Sequence, residues 1–388
     1  HRDLHSFPTR RSSDLVVAEV QSITGTTVHK RQVEALAIAA AVDFDEFYAL
    51  WPVEHAELVP WAHIVLSFDG KGIVMRREDL REATRKAAER GSRKLEKRLT
   101  KGEKRNRKRM AEVATVYAIE PFVRDAEDVV RELRPAQDVA KRRPRPSFKR
   151  VWASVVEDMT EVIDEAFCHA RRIDPNPARP WVVVVDGNKD QLRAVRKAAK
   201  KHGVQVVVII DLMHVLEYLW KASYGFHPEG SQQSQDWVTE RLRALLTGHD
   251  PGQIAAGIRR SATRQNLSAS QRKAVDACAQ YLINNRRWID YPTALQRGYP
   301  IATGVVEGAC RYLVKDRMDR TGARWSLNGA EAVLRLRALR TSGDFPAYWS
   351  FHLERELHRN HLDLYAAARA PSPLPEPRAG KPNLRRIK

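Results

Sequence analysis

Apolar and polar positions follow two periods along this chain, and the switches between them mark out its elements. Residues 26–50 carry apolar side chains at helical spacing, with Thr26 or Thr27 available as the cap. Residues 63–68 form an apolar run that ends at Asp69. A glycine-containing turn and a second short apolar run follow, which together predict a strand ending in an acid and then a hairpin. Residues 76–109 are dense in Lys and Arg and read as helical, and strand character returns in VATVYAI. Residues 147–172 have helical period, with Val151, Val155, Val156, Met159, Val162, Ile163 and Ala166 along one side. After a proline-containing break at 175–180, WVVVVDGN is a β-branched strand ending at Asp186 and Gly187. A basic helix closed by Gly203, a buried strand ending at Asp211 and an amphipathic helix follow in turn. Residues 228–289 are helical throughout, 301–318 begin another helix that contains Glu307, and GAEAVLRLRALR is a further basic amphipathic helix.

The order is strand, strand, strand, helix, strand, helix, strand, then helices. Continuous apolar strands separated by helices imply a sheet covered on both faces. This predicts an α/β protein with a ribonuclease-H-like core, a mixed sheet flanked by helices, carrying an all-α insertion domain. In that topology the acids that end the first and fourth strands are neighbours, here Asp69 and Asp186, and a third acid on a later helix is expected at Glu307. The boundaries that follow are a helical remnant at 16–60, either of a DNA-binding helix-turn-helix or of the surface of a truncated domain, a first part of the core at 61–220 with a basic helical insert at 76–109, the helical insertion at 221–300, and core helices at 301–368. The tail at 369–388 is Pro-rich and basic and reads as disordered. Residues 1–15 lack apolar periodicity and resemble the translated remnant of a sequencing adapter, which implies that the natural N-terminal segment is missing.

Composition narrows the function. The formal net charge is +19 over 388 residues, which favours a polyanionic partner, nucleic acid first and an anionic membrane surface second. No stretch approaches the ~20 apolar residues needed to span a bilayer. Cys168, Cys278 and Cys310 are far apart and odd in number, which argues against a disulfide framework or a cysteine zinc site and suits a reducing cytoplasm. No Gly-rich phosphate loop of the Walker kind is present, which argues against ATP use. Carboxylates held at strand ends suit two Mg²⁺ or Mn²⁺ ions, the arrangement that cleaves phosphodiesters by in-line displacement. Each acid also has an ordinary reading. An Asp-Gly after a strand is commonly a turn, and a helical Glu is commonly a solvated surface acid. Glu307, Arg311 and Lys315 at i, i+4 and i+8 make either an intrahelical ion pair or a metal-binding acid flanked by phosphate-contacting cations.

Several stretches resemble the bacterial insertion-sequence DDE transposases of the Mutator-like group, and among them the ISKra family. They are SFDGKG around Asp69, VVVVDGNKDQL around Asp186, IIDLMHVLEYLW with Asp211 and His214, TGVVEGACRYLVKDRM around Glu307, and residues 322–352. The resemblance runs from about residue 60 to about 360. It implies that Asp69, Asp186 and Glu307 are the catalytic, metal-binding acids. Asp211 and His214 are then accessory, with Asp211 the alternative second ligand. It implies DNA contacts at Arg311, Lys315, Arg317, Arg324 and Trp325, and a helical insertion in which Trp220, Trp237 or Trp288 stacks on a base or packs in the core. The basic stretch 76–109 is expected to contact phosphates. The implied activity is metal-dependent cleavage of element ends and strand transfer into target double-stranded DNA. The implied setting is a homodimer or larger assembly on the bacterial nucleoid, in the cytoplasm, with no membrane association. The rivals are a nuclease of the same fold without strand transfer and a non-catalytic or decayed DNA-binding protein.

Overall fold

The computed structural model of the chain describes residues 21–22, 25, 28–50, 59–90, 107–133, 143–319 and 323–362. Two helices, α1 (Lys30–Ala40) and α2 (Phe44–Leu50), precede the long strand β1 (His63–Val74). Helix α3 (Glu82–Arg90), strand β2 (Lys108–Ile119), helix α4 (Ala126–Glu132), strand β3 (Ser147–Ser154) and helix α5 (Met159–Ile173) follow. Then come β4 (Trp181–Val185), α6 (Lys189–Lys201), β5 (Val206–Ile210) and α7 (Leu212–Ser223). The next stretch is helical: α8 (Gln232–Leu246), α9 (Pro251–Arg264), α10 (Ala269–Asn285), a 3-10 turn at Arg286–Trp288 and α11 (Tyr291–Gln296). Helix α12 (Gly304–Ala309) runs through a π-helical stretch, Cys310–Lys315, into α13 (Asp316–Met318). Helices α14 (Leu327–Ser342) and α15 (Phe345–Leu357) come last, α15 continuing into a π-helical turn at His358–Leu362. The chain divides into two compact units, one up to Phe345 and one from Pro346 onward. Within the second, Tyr348 stacks on His352 with ring centroids 5.8 Å apart.

The five strands form one mixed sheet in the order β3-β2-β1-β4-β5, flanked by helices. The pairs β1–β2 and β2–β3 are antiparallel, whereas β1–β4 and β4–β5 are parallel. All five residues of β4 are buried, as are the first six of β1, because helices cover both faces and leave no solvated side. Burial in β1 breaks at Asp69, Gly70, Lys71 and Gly72 and resumes at Ile73. The helices between start where the sequence offers caps. Asp158 caps α5 in a capping box with Glu161, Asn188 caps α6, and Ser268 caps α10 with Gln271. The helices α8 to α11 lie in the same compact unit as the sheet, and α10 packs against α7.

Two local expectations fail, and their errors offset in the strand count. No hairpin forms at Asp69–Gly72: β1 is one strand, paired with β2 from His63↔Ile119 to Val74↔Lys108. The glycines serve close cross-strand approach instead of a turn. A Cβ at Gly72 would lie 2.7 Å from Lys108 Cδ, and one at Gly70 would lie 2.9 Å from Met110 Cε. Residues 147–154 are strand β3, so the predicted helix at 147–172 begins only at Met159. Val151 and Ala153 pack into a core with Ile73, Val113, Leu313 and Leu334, and that tertiary burial overrides the apparent helical period. The basic stretch 76–109 contributes α3 and the first residues of β2, and 91–106 lie outside the described residues. So do residues 1–20, Thr26 and Thr27; His29 is the residue that caps α1. The predicted tail at 369–388 is also outside them.

One carboxyl at the end of β3 makes the stability pH-dependent. Burial, and then the charges of Glu165, Glu331, Asp45 and Glu161, push the Glu157 carboxyl up to about 7. The folded state therefore keeps a proton that the unfolded chain has already lost, and stability falls as pH rises from the ordinary glutamate value to about 7. Glu157→Gln is expected to match the parent at pH 4 and to be more stable at pH 8. After allowance for solvent screening of this half-buried group the gain is about 1 kcal/mol, read by urea denaturation at both pH values.

Candidate active site

Register places the acids. Ser67 of β1 pairs with Val184 of β4, and Val185 of β4 pairs with Ile210 of β5. Carrying those registers one or two residues further puts Asp69, Asp186 and Asp211 level with one another on three adjacent strands. Neighbouring strands are about 4.8 Å apart, so the chain positions of the three acids stand abreast at one end of the parallel part of the sheet. Asp186 and Asp211 each stand one residue beyond a strand, whereas Asp69 lies inside β1, opposite Val113.

Asp69 is partly exposed and well held. Its Oδ1 accepts a hydrogen bond from the Gly70 N–H at 2.7 Å, and its Oδ2 accepts one from the Cys310 thiol at 3.1 Å and lies 2.8 Å from Lys71 Nζ. Burial works against the Lys71 ammonium, but Asp69 outweighs it with help from Cys310 and Glu307, and the lysine holds its proton more tightly than usual. Burial, and then Asp69, push the Cys310 thiol up, so it stays protonated and donates. Glu112, opposite Gly70 on β2, is raised by burial first; Arg81 opposes the shift, and Asp69 and Asp158 add to it. The proton affinities of Lys71 and Cys310 both carry the Glu307 charge, which ties the exposed Glu307 on α12 to the Asp69 end of the row.

Asp186 sits on a loop that is braced from behind. Its Oδ1 accepts from the Asn188 N–H, while its backbone carbonyl accepts from the Tyr281 hydroxyl of α10 at 2.7 Å. Its Oδ2 takes no hydrogen bond among the described residues. Gly187 has φ +89, and a Cβ there would lie 2.8 Å from the Asn285 side chain, so only glycine fits the turn. Tyr281 in turn stacks on Tyr218 at 4.0 Å between ring centroids.

Asp211 has a different task. It is 2 % exposed, and it caps α7 by accepting from the Met213 N–H. Its other oxygen accepts from the Thr303 hydroxyl and lies 3.5 Å from His214 Nδ1. Thr303 begins α12, and its carbonyl accepts the Glu307 N–H at 2.9 Å. Both Asp211 oxygens are thus committed to positioning, and the geometry favours Asp186 over Asp211 as the second acid facing a ligand. The Asp211 hydrogen bond raises the proton affinity of His214 against the opposing effect of burial, with Asp186 adding to it.

The residues expected to contact DNA cluster beyond Glu307. Arg311, Lys315 and Arg324 are exposed, and Arg317 stacks over Trp325 at 5.1 Å. Trp325 is half-buried; its indole N–H donates to the Met318 carbonyl, and its backbone N–H donates to Val74 at the end of β1. The π-helical stretch changes the helical phase immediately after Glu307, so the simple i, i+4, i+8 face is not kept. Of the tryptophans, Trp237 is a core residue stacked on Phe226, while Trp288 lies beneath Arg196 of α6. A cavity of about 430 Å³ opens beside Glu307, lined by Tyr117, Phe122, Val129, Met213 and Tyr299 among others. Cys310, Glu112 and Thr303 are not legible as site residues, because their partners are set by sheet pairing and by contacts more than ninety residues away in sequence; Lys71 is hidden because Asp-Gly-Lys-Gly reads as a turn and not as a strand that puts i and i+2 on one face.

Asp69, Asp186 and Glu307 offer only oxygen ligands, which suits a hard divalent ion, and the Lys71 ammonium already rests as a cation against Asp69. The three acids do not converge to within 4.8 Å; among the described residues only Asp164, Cys168 and His202 do so. An open row of this kind fits ions shared between one or two carboxylates and a substrate phosphate, not a closed protein cage.

Two outcomes follow. Lys71→Met is expected to tighten Mn²⁺ binding about fivefold, the equivalent of the ~1 kcal/mol of a partly exposed ion pair, and Asp69→Asn to abolish it, both read by titration calorimetry. Thr303→Val removes the donor to a buried carboxylate and is expected to lower unfolding stability by about 2 kcal/mol in denaturant melts. Comparison with protein families, with curated proteins and with solved structures finds no match for this chain.

Proposed function

We propose that this chain is a DDE transposase with a ribonuclease-H-like core, which cuts the ends of an insertion sequence and joins them to target DNA. The observation that carries the reading is the sheet order β3-β2-β1-β4-β5 with Asp69 and Asp186 level on its adjacent parallel strands β1 and β4. Glu307 adds the third acid, three residues before Cys310, whose thiol donates to Asp69. The sequence stretches that resemble Mutator-like and ISKra transposases fall on these same three residues.

Asp69, Asp186 and Glu307 would hold two Mg²⁺ or Mn²⁺ ions, which supply the activation of an attacking oxygen and the stabilisation of a leaving alkoxide. The chain's own groups do the rest. Asp69 is fixed by its backbone and thiol donors, so its free electron pairs point in a set direction at little entropic cost. Lys71, an ammonium against Asp69, and His214, whose proton affinity Asp211 raises, stand at the two ends of the row, placed to meet the phosphate oxygens of a strand lying along it. Arg311, Lys315 and Arg324 extend that positive surface, consistent with a net charge of +19. Asp211 acts through Thr303 and keeps α12 seated. Holding two element ends together calls for a dimer or larger assembly, and a nucleoid-bound cytoplasmic protein is the corresponding location. No helix among the described residues is long and apolar enough to cross a membrane.

The test is a Mg²⁺-dependent cleavage and joining assay on the element's end DNA. Asp69→Asn, Asp186→Asn and Glu307→Gln are each expected to lose on the order of 10²-fold or more in rate while retaining DNA. Asp211→Asn should lose less, in proportion to its loss of stability. Cut ends without joined products would replace the transposase reading with a nuclease of the same fold. DNA retention with no cleavage by the parent would leave a binding protein.

A further inference from the structure

Away from the row of acids, α5 and α6 bring three different ligand types to one point. Asp164 and Cys168 stand at i and i+4 on α5 and so share a face. His202 follows the last residue of α6, where its N–H donates to Ala198 and the left-handed Gly203 turns the chain so that Val204 N–H reaches Ala199. The imidazole is further fixed against Phe167, with ring centroids 5.8 Å apart. His202 Nε2 lies 2.9 Å from Asp164 Oδ1 and 4.0 Å from Cys168 Sγ, and one ligand atom from each residue falls within 4.8 Å of the others. A tetrahedral zinc ion, with bonds of about 2.0 Å to N and O and about 2.3 Å to S, needs N···O near 3.3 Å and N···S near 3.6 Å. Both separations are within about half an ångström of that, a shift within reach of side-chain rotation alone. Lys201 Nζ holds the other carboxylate oxygen, Oδ2, at 2.6 Å and leaves Oδ1 facing the thiol and the ring. That is the outer partner expected to orient a coordinating carboxylate. Cys168 is exposed, so an ion can reach the cluster from solvent.

We propose that Asp164, Cys168 and His202 form a binding site for a borderline-soft divalent ion, Zn²⁺ foremost, separate from the oxygen-only row at Asp69 and independent of the transposase reading. On binding, the Cys168 S–H bond breaks, its proton goes to solvent, and the sulfur bonds to the ion. His202 Nε2 shares a hydrogen with Asp164 Oδ1 in the free protein; on binding, that proton is lost to solvent, the ring keeps or takes its proton at Nδ1, Nε2 and Asp164 Oδ1 bond to the ion, and water completes the tetrahedron. No electrons are transferred. The ion clamps the end of α6 to α5, and α6 starts at Lys189, three residues after Asp186. Ligand softness sorts the two sites, thiolate and imidazole taking zinc and carboxylates taking magnesium.

The test uses the full chain with Co²⁺ as a spectroscopic probe and Zn²⁺ as competitor. One equivalent of Co²⁺ is expected to give tetrahedral visible bands and a thiolate-to-cobalt charge-transfer band that Zn²⁺ removes. Cys168→Ser should abolish the charge-transfer band. Cys168→Ser and His202→Gln should each weaken Zn²⁺ binding about tenfold or more, while Asp69→Asn leaves the band in place. Zn²⁺ should also slow alkylation of Cys168, followed by peptide mass spectrometry. It should raise the thermal midpoint of the parent but not of Cys168→Ser. A parent with no charge-transfer band, a band that survives in Cys168→Ser, or alkylation of Cys168 unaffected by Zn²⁺ would overturn the site.

Discussion

The parallel pairing of β1 with β4 and of β4 with β5 is the constraint on which the rest of the structure depends. Side chains alternate faces along a strand, so a slip of one residue would exchange the two covered faces of β4 and move Asp186 off the level of Asp69. The slip is prevented by burial: all five residues of β4 are enclosed, and full burial of a Val or Ile side chain stabilises by about 1.5–3 kcal/mol. The apolar run therefore acts as a ruler for the acids. It ends at Val185, and the first residue past it is a carboxylate aligned with its neighbours on either side.

Glu307 is placed by other means. No strand carries it; its helix is pressed onto the sheet by Val306, Ala309, Cys310, Leu313 and Val314, which share one core with Ile73, Val113 and Val151. The helix is pinned at its start by the hydrogen bond from Thr303 to Asp211 and at its middle by the one from Cys310 to Asp69. The π-helical stretch lies between that second contact and Lys315, so the side of the helix that meets the sheet and the side that carries cations are offset from a regular helix. Two buried donors and one apolar face do for Glu307 what strand register does for the aspartates.

These differences explain what the sequence disclosed. The elements β4, α6, β5 and α7 and the acids at their ends are legible because each is a local pattern: a continuous apolar run, an acid, a cap, then helical period. The continuity of β1 is hidden because Asp-Gly-Lys-Gly has the composition of a turn. Only the partner strand shows that Lys108 and Met110 need the space over those glycines. In β3, VWASVV places apolar residues at both helical and strand spacings, and packing against α14 decides between them. Asn285 behind Gly187, Cys310 on Asp69 and Thr303 on Asp211 carry no local signal. They are polar residues of ordinary type whose meaning arises when the chain closes.

The Thr303–Asp211 hydrogen bond joins residues 92 apart, and next to it the Leu212 N–H donates to Ile301. Everything between, α7 to α11, leaves the sheet and returns to the place it left. The entropy of closing such a loop grows only with the logarithm of its length. The helical excursion can therefore gain or lose helices between α8 and α11 without disturbing the seat of α12, provided that α7, the two ends and the Tyr281 and Asn285 props of α10 are kept. Its base is a socket, and what is plugged into that socket is free to diversify while the row of carboxylates stays where the strands put it.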